Sequence, residues 1–161
     1  MTKKEEFANI FTRRMRSNMT PYVLKYLPKE DLKVFEEVRQ AIIALPDVDL
    51  GNDEKGRQII LSCHILARAV AKVFSLEYSD GYFSHDRSYQ HSWVLTKNRN
   101  IIDVYPVGIV GGPFLVDATS CYNSLGPYLY RDQDILSAKE KKRFNAAIDI
   151  ISVELERLRA V

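Results

Sequence analysis

The chain has 161 residues, 46% apolar and 27% charged, enough apolar side chains to build the core of one domain. Its 23 Lys and Arg stand against 21 Asp and Glu, a formal charge of +2, too even to attract nucleic acid or an anionic membrane. Two cysteines are too few for a disulfide scaffold and suit free thiols in a reducing compartment.

Residues 1–16 carry charges throughout and lack the apolar centre of a signal peptide. No apolar stretch approaches the roughly 20 residues that span a bilayer. A cytoplasmic location is therefore expected, and an effector exported without a cleaved signal would share these features. The one basic run, Arg13-Arg14-Met15-Arg16, follows Glu5 and Glu6 and reads as a solvated helix face.

In chain order, a first helix is expected over 3–16, where Phe7, Ile10 and Phe11 recur at helical spacing, and Thr20-Pro21 breaks it. A second should begin near Pro28, a residue suited to the first helical position, with Glu30 and Asp31 at the positive end. Its apolar stripe is Leu32, Phe35, Val38, Ile42 and Ile43, and Pro46 closes it. A third helix covers 63–74. It starts either at Asp53 or, after a break at 56–62, with Ser62 as N-cap. Three antiparallel strands follow over 77–84, 90–96 and 101–106, rich in β-branched and aromatic residues, the last two joined as a hairpin through Lys97-Asn98-Arg99-Asn100. Residues 107–113, with Gly108, Gly111 and Gly112, form a loop leading to a short strand at 114–116. A closing helix spans 137–159, with Ser137 as N-cap, Glu140 three residues on, and Phe144, Ile148, Ile151 and Leu155 as its stripe.

Cys63, His91 and Asp103 are the candidates for chemistry. A cysteine nucleophile needs a thiolate, which a helix N-terminus and an imidazolium both favour, and the imidazole needs a third group to hold its tautomer. Strand parity tests the last pair. Alternate residues share a face, so His91 points with Trp93, and Asp103 with Ile101 and Tyr105. A three-residue loop over 97–99 puts Trp93 opposite Asp103 and makes His91 its diagonal neighbour. A loop of even length puts them on opposite faces, and Asn98 and Asn100 suit either.

The order Cys63, then His91-Ser92-Trp93, then Ile101-Ile102-Asp103 resembles the transglutaminase-like branch of the papain-like cysteine peptidase superfamily. The resemblance covers about 57–113. It implies that Cys63 is the nucleophile, His91 the base and Asp103 the orienting acid, and that the Cys63 helix packs on a small antiparallel sheet. The chain departs from the family in the Ile-Ile-Leu-Ser that precedes Cys63, and in Gln58, five residues before the cysteine where the papain-type oxyanion glutamine lies six before. Gln58, Trp93 and Tyr105 are candidates for substrate or oxyanion contacts; Tyr82 and Tyr89 are further candidates for the cleft wall. His64, turned about 100° from Cys63 on a helix, reads as a surface or capping residue; His85 lies in a polar turn, and Cys121 reads as structural.

The expected fold is α+β, a single domain over 1–161: a helical part (1–50), a papain-like core (51–117), and a loop with a closing helix (118–161). No cofactor is expected. Cys63, His64, His85, His91 and Cys121 are too scattered for paired zinc ligands, and the glycines lack the P-loop pattern. The expected activity is thiol-dependent acyl transfer on a peptide, protein or small amide. The alternative is a non-catalytic protein-binding module that keeps the same fold.

Overall fold

A computed structural model describes residues 27–82, 90–105, 113–116 and 137–160. The expected helix at 3–16, the glycines at 108, 111 and 112, His85, Tyr89 and Cys121 lie outside the described residues. The described elements are helices α1 (Lys29–Ile43) and α2 (Cys63–Phe74), strands β1 (Glu77–Tyr82), β2 (Gln90–Leu95), β3 (Ile101–Asp103) and β4 (Phe114–Val116), and helix α3 (Ala138–Arg159). The four strands form one antiparallel sheet in the order β1-β2-β3-β4, so the described residues are α+β.

Each helix follows its sequence signals, with two corrections. Pro28 stands at the N-cap of α1 rather than at its first helical position, and its carbonyl accepts from the Asp31 and Leu32 N–H groups at 3.1 Å each. Val38, Ala41 and Ile42 are buried, but Ile43, expected on the stripe, is exposed. Five positions beyond Val38, it is turned about 140° from it around the helix.

Helix α2 does not reach back to Asp53. Gly56, at φ 74°, closes a turn in which the Gly56 N–H donates to the Asp53 carbonyl at 3.0 Å, and Asn52 then bridges to Gln58. The helix starts at Cys63, where the Ser62 hydroxyl accepts from the Ile65 N–H at 3.3 Å. Every residue of α2 except Arg68 and Lys72 is buried, the pattern of a helix covered on all sides. Helix α3 opens with the expected capping box: Ser137 Oγ accepts from the Glu140 N–H, and the Glu140 carboxylate from the Ser137 N–H, both at 3.2 Å.

The core joins α2 to the sheet and to α3. Val94, Ile102 and Leu115 meet Leu66 and Val70 of α2 and Ala147, Ile151 and Leu155 of α3 in one cluster. Leu66, Ile102, Leu115, Ile151 and Leu155 are fully buried, and each such side chain contributes about 1.5–3 kcal/mol over leaving it exposed.

The β2–β3 hairpin has the three-residue loop. Val94 pairs with Ile102 and Leu95 with Ile101, the Thr96 N–H donates to the Asn100 carbonyl at 2.9 Å, and Arg99 takes the left-handed conformation at φ 66°. Asp31, buried in the first turn of α1, holds this loop. Its carboxylate accepts from Asn100 Nδ2 at 2.7 Å, Thr96 Oγ1 at 2.9 Å and Asn98 Nδ2 at 3.0 Å. Strand β3 is shorter than expected because Asp103 ends it: its Oδ1 accepts from the Tyr105 N–H at 3.1 Å, a local bond that turns the chain away from the ladder.

Candidate thiol site

Cys63 is the first residue of α2, a position at which the helix terminus favours negative charge and the backbone N–H precedes the first intrahelical bond. His91 lies in β2 and Asp103 at the end of β3. The hairpin register that pairs Val94 with Ile102 sets Trp93 opposite Asp103 and brings His91 diagonally to it. His91 Nε2 and Asp103 Oδ2 are 2.6 Å apart, and both side chains are buried. A carboxylate only accepts, so Nε2 carries the proton of this bond. Asp103 is thereby held at both oxygens, by the Tyr105 N–H at one and by His91 at the other.

The thiol of Cys63 completes the group. Its charge bears on the His91 ring, and with Nε2 engaged by Asp103 the ring nitrogen left to face the sulfur is Nδ1. Burial opposes a charge on His91, but the Asp103 carboxylate and its hydrogen bond, then the charge of Cys63, prevail. Together they raise the imidazole from 6.5 to about 10. The sulfur is well covered, with Cys63 8% exposed.

Of the further candidates, two sit by the group. Tyr105 is half-buried, its hydroxyl donates to the Leu61 carbonyl at 3.0 Å, and burial, then the charge of Cys63, push its phenol up. The Trp93 ring is 6.2 Å from that of His91. Trp93 also explains Gly81, the partner of His91 across the β1–β2 ladder: a Cβ there would overlap the indole. Gln58 shares a cleft with Ser62, the residue before Cys63. Gln58 is exposed, and the cleft, of about 540 Å³, lies between residues 53–62 and the start of α3. Ile65, which also lines that cleft, is two residues after Cys63 and so about 200° from it around α2.

His64 corrects the sequence reading most. It is buried rather than on the surface, with Nδ1 2.6 Å from the Ser92 hydroxyl. Ser92 in turn donates to Asp80 Oδ1 at 2.5 Å, and Arg68 donates to both Asp80 oxygens at 3.0 and 2.7 Å. The first turn of α2 packs flush on the sheet, so the direction 100° from Cys63 meets β2 rather than water. The available signals were the four-residue spacing of His64 and Arg68, which puts them on one helix face, and the polar Asp80 and Ser92 inside strand patterns.

Among the described residues no cluster of three His, Cys, Asp or Glu is arranged to hold a metal ion, and no helix is long and apolar enough to cross a membrane. Comparison with protein-family models, with curated proteins and with solved structures returns no match.

Proposed function

We propose that the protein carries out thiol-dependent acyl transfer at an amide or ester bond through Cys63, His91 and Asp103. The observation that supports this is the 2.6 Å bond from His91 to the buried Asp103, with the same imidazole raised further by the charge of Cys63 on the first residue of a helix. His91 holds the thiol proton as an imidazolium, and the thiolate attacks the acyl carbon, forming the C–S bond. The Cys63 backbone N–H is one donor for the developing oxyanion. As the C–N or C–O bond breaks, the leaving group takes the proton from His91. Water, giving a proton to His91, then attacks the thioester. The C–S bond breaks, the acid leaves and the thiolate again faces the imidazolium. An amine in place of water makes a new amide. Hydrolysis, deamidation and transamidation share these steps, so protease, amidase, deamidase and transamidase all fit.

The test is alkylation by iodoacetamide across pH, read by peptide mass spectrometry, with Cys121 as internal control. Cys63 should label rapidly below pH 7, and His91→Ala should remove the advantage. Labelling no faster than Cys121 and unchanged by the substitution rejects catalysis. It would favour the second reading, a non-catalytic binding module, to which the low exposure of Cys63 is better suited.

A further inference from the structure

The ring of side chains at His64, Ser92, Asp80 and Arg68 is buried, polar and unused by the chemistry above. His64 is 7% exposed and Ser92 fully buried, while the Arg68 and Asp80 side chains are 10% and 3% exposed. The bonds close on themselves. His64 Nδ1 meets Ser92 Oγ, Ser92 donates to Asp80, Asp80 accepts from Arg68, and Arg68 Nη1 returns to the His64 carbonyl at 3.2 Å. Ser92 gives its one proton to Asp80, so its oxygen accepts here and His64 Nδ1 donates. In a Ser-His-Asp nucleophile the histidine stands between the other two. Here the serine does, so the ring is not a second active site.

Its placement points to a different role. Cys63 and His64 are consecutive on α2, and their partners His91 and Ser92 are consecutive on β2. Consecutive helix residues differ by about 100° in direction, and consecutive strand residues point to opposite faces. One link would leave the helix end free to rotate or slide about it, whereas two divergent links fix both. Asp80 is the direct cross-strand partner of Ser92, and the Arg68 guanidinium lies 4.4 Å from the centre of the Tyr78 ring, so the second link is tied to β1 as well.

We propose that this ring is a positioning device for the thiol: it sets the rotation of the first turn of α2 so that Cys63 meets His91. The inference rests on the thiol reading above, and the following experiment separates the two. The pH profile of Cys63 alkylation is compared in the wild type, Ser92→Ala, Arg68→Gln and His64→Asn, with Cys121 as control and circular dichroism as the check on folding. Ser92→Ala and Arg68→Gln should slow labelling at pH 6 by roughly tenfold to a hundredfold, the size expected for a misplacement near 1 Å. His64→Asn, whose amide keeps a donor near the Nδ1 position, should retain the wild-type profile. A wild type with no advantage over Cys121 overturns the thiol reading itself. A fast wild type matched by folded Ser92→Ala and Arg68→Gln overturns the positioning role alone. So does loss of the acid-side labelling in folded His64→Asn, which bears on the role even if neither loss variant folds.

Discussion

At the residue scale, the proton on His91 connects structure to pH. Burial alone would lower the imidazole, yet the Asp103 carboxylate at 2.6 Å and the neighbouring Cys63 raise it from 6.5 to about 10. The folded chain therefore binds this proton more tightly than the unfolded chain does. The resulting stabilisation is fully present below about pH 6.5, declines above it, and is lost as pH rises through about 10. Replacing Asp103 by Asn removes the charge responsible and leaves burial to dominate. In urea unfolding at a series of pH values, the wild type should exceed Asp103→Asn most at pH 6, and the gap should shrink towards pH 10.5. A gap independent of pH would show that His91 holds no extra proton in the fold. The same variant should label more slowly at Cys63, since the imidazole loses its orienting partner.

At the element scale, the β2–β3 hairpin decides whether a triad can exist. A slip of one residue would carry Asp103 to the face away from His91. Lys97-Asn98-Arg99-Asn100 accommodates loops of either parity, because asparagines tolerate several turn conformations. The choice is made from outside the hairpin by Asp31, 65 residues before Thr96. Three side-chain donors converge on its carboxylate, and those at Thr96 and Asn100 are the two positions flanking the loop. Asp31→Ala would leave the buried Thr96 hydroxyl and the half-buried Asn100 amide without this acceptor, while the exposed Asn98 keeps its bond to Glu30 at 3.1 Å. We expect a loss of roughly 2–4 kcal/mol, seen as a lower urea midpoint at unchanged slope. A change within a few tenths of a kcal/mol would mean that the loop holds its register unaided.

At the scale of the whole molecule, α2 is enclosed between the sheet and α3, and the core cluster spans all three layers. Leu155 of α3 is fully buried in that cluster, although the thiol group lies on the sheet side of α2. Leu155→Ala should cost about 2–5 kcal/mol through lost burial and the cavity left behind. It should leave the pH profile of Cys63 labelling unmoved in the folded protein. This variant separates general loss of stability from the specific effects expected at Ser92 and Asp103. If Leu155→Ala shifts the profile as they do, the labelling reports stability and not geometry.

The sequence by itself determined what depends on neighbours along the chain. The capping box of Ser137 and Glu140, the strand stretches and the parity that aligns His91 with Trp93 are local matters of side-chain spacing and of backbone groups at helix ends, whereas Ser62 was one of two possible starts for α2. Tertiary structure decided what depends on distant partners. It chose the loop parity through Asp31, turned His64 inward to Ser92, and joined Asp80 to Arg68 across 12 residues. Periodicity shows which face of an element is apolar but not what stands opposite it. A buried polar group is stable only where such a partner exists, so these contacts became visible only when the elements were packed together.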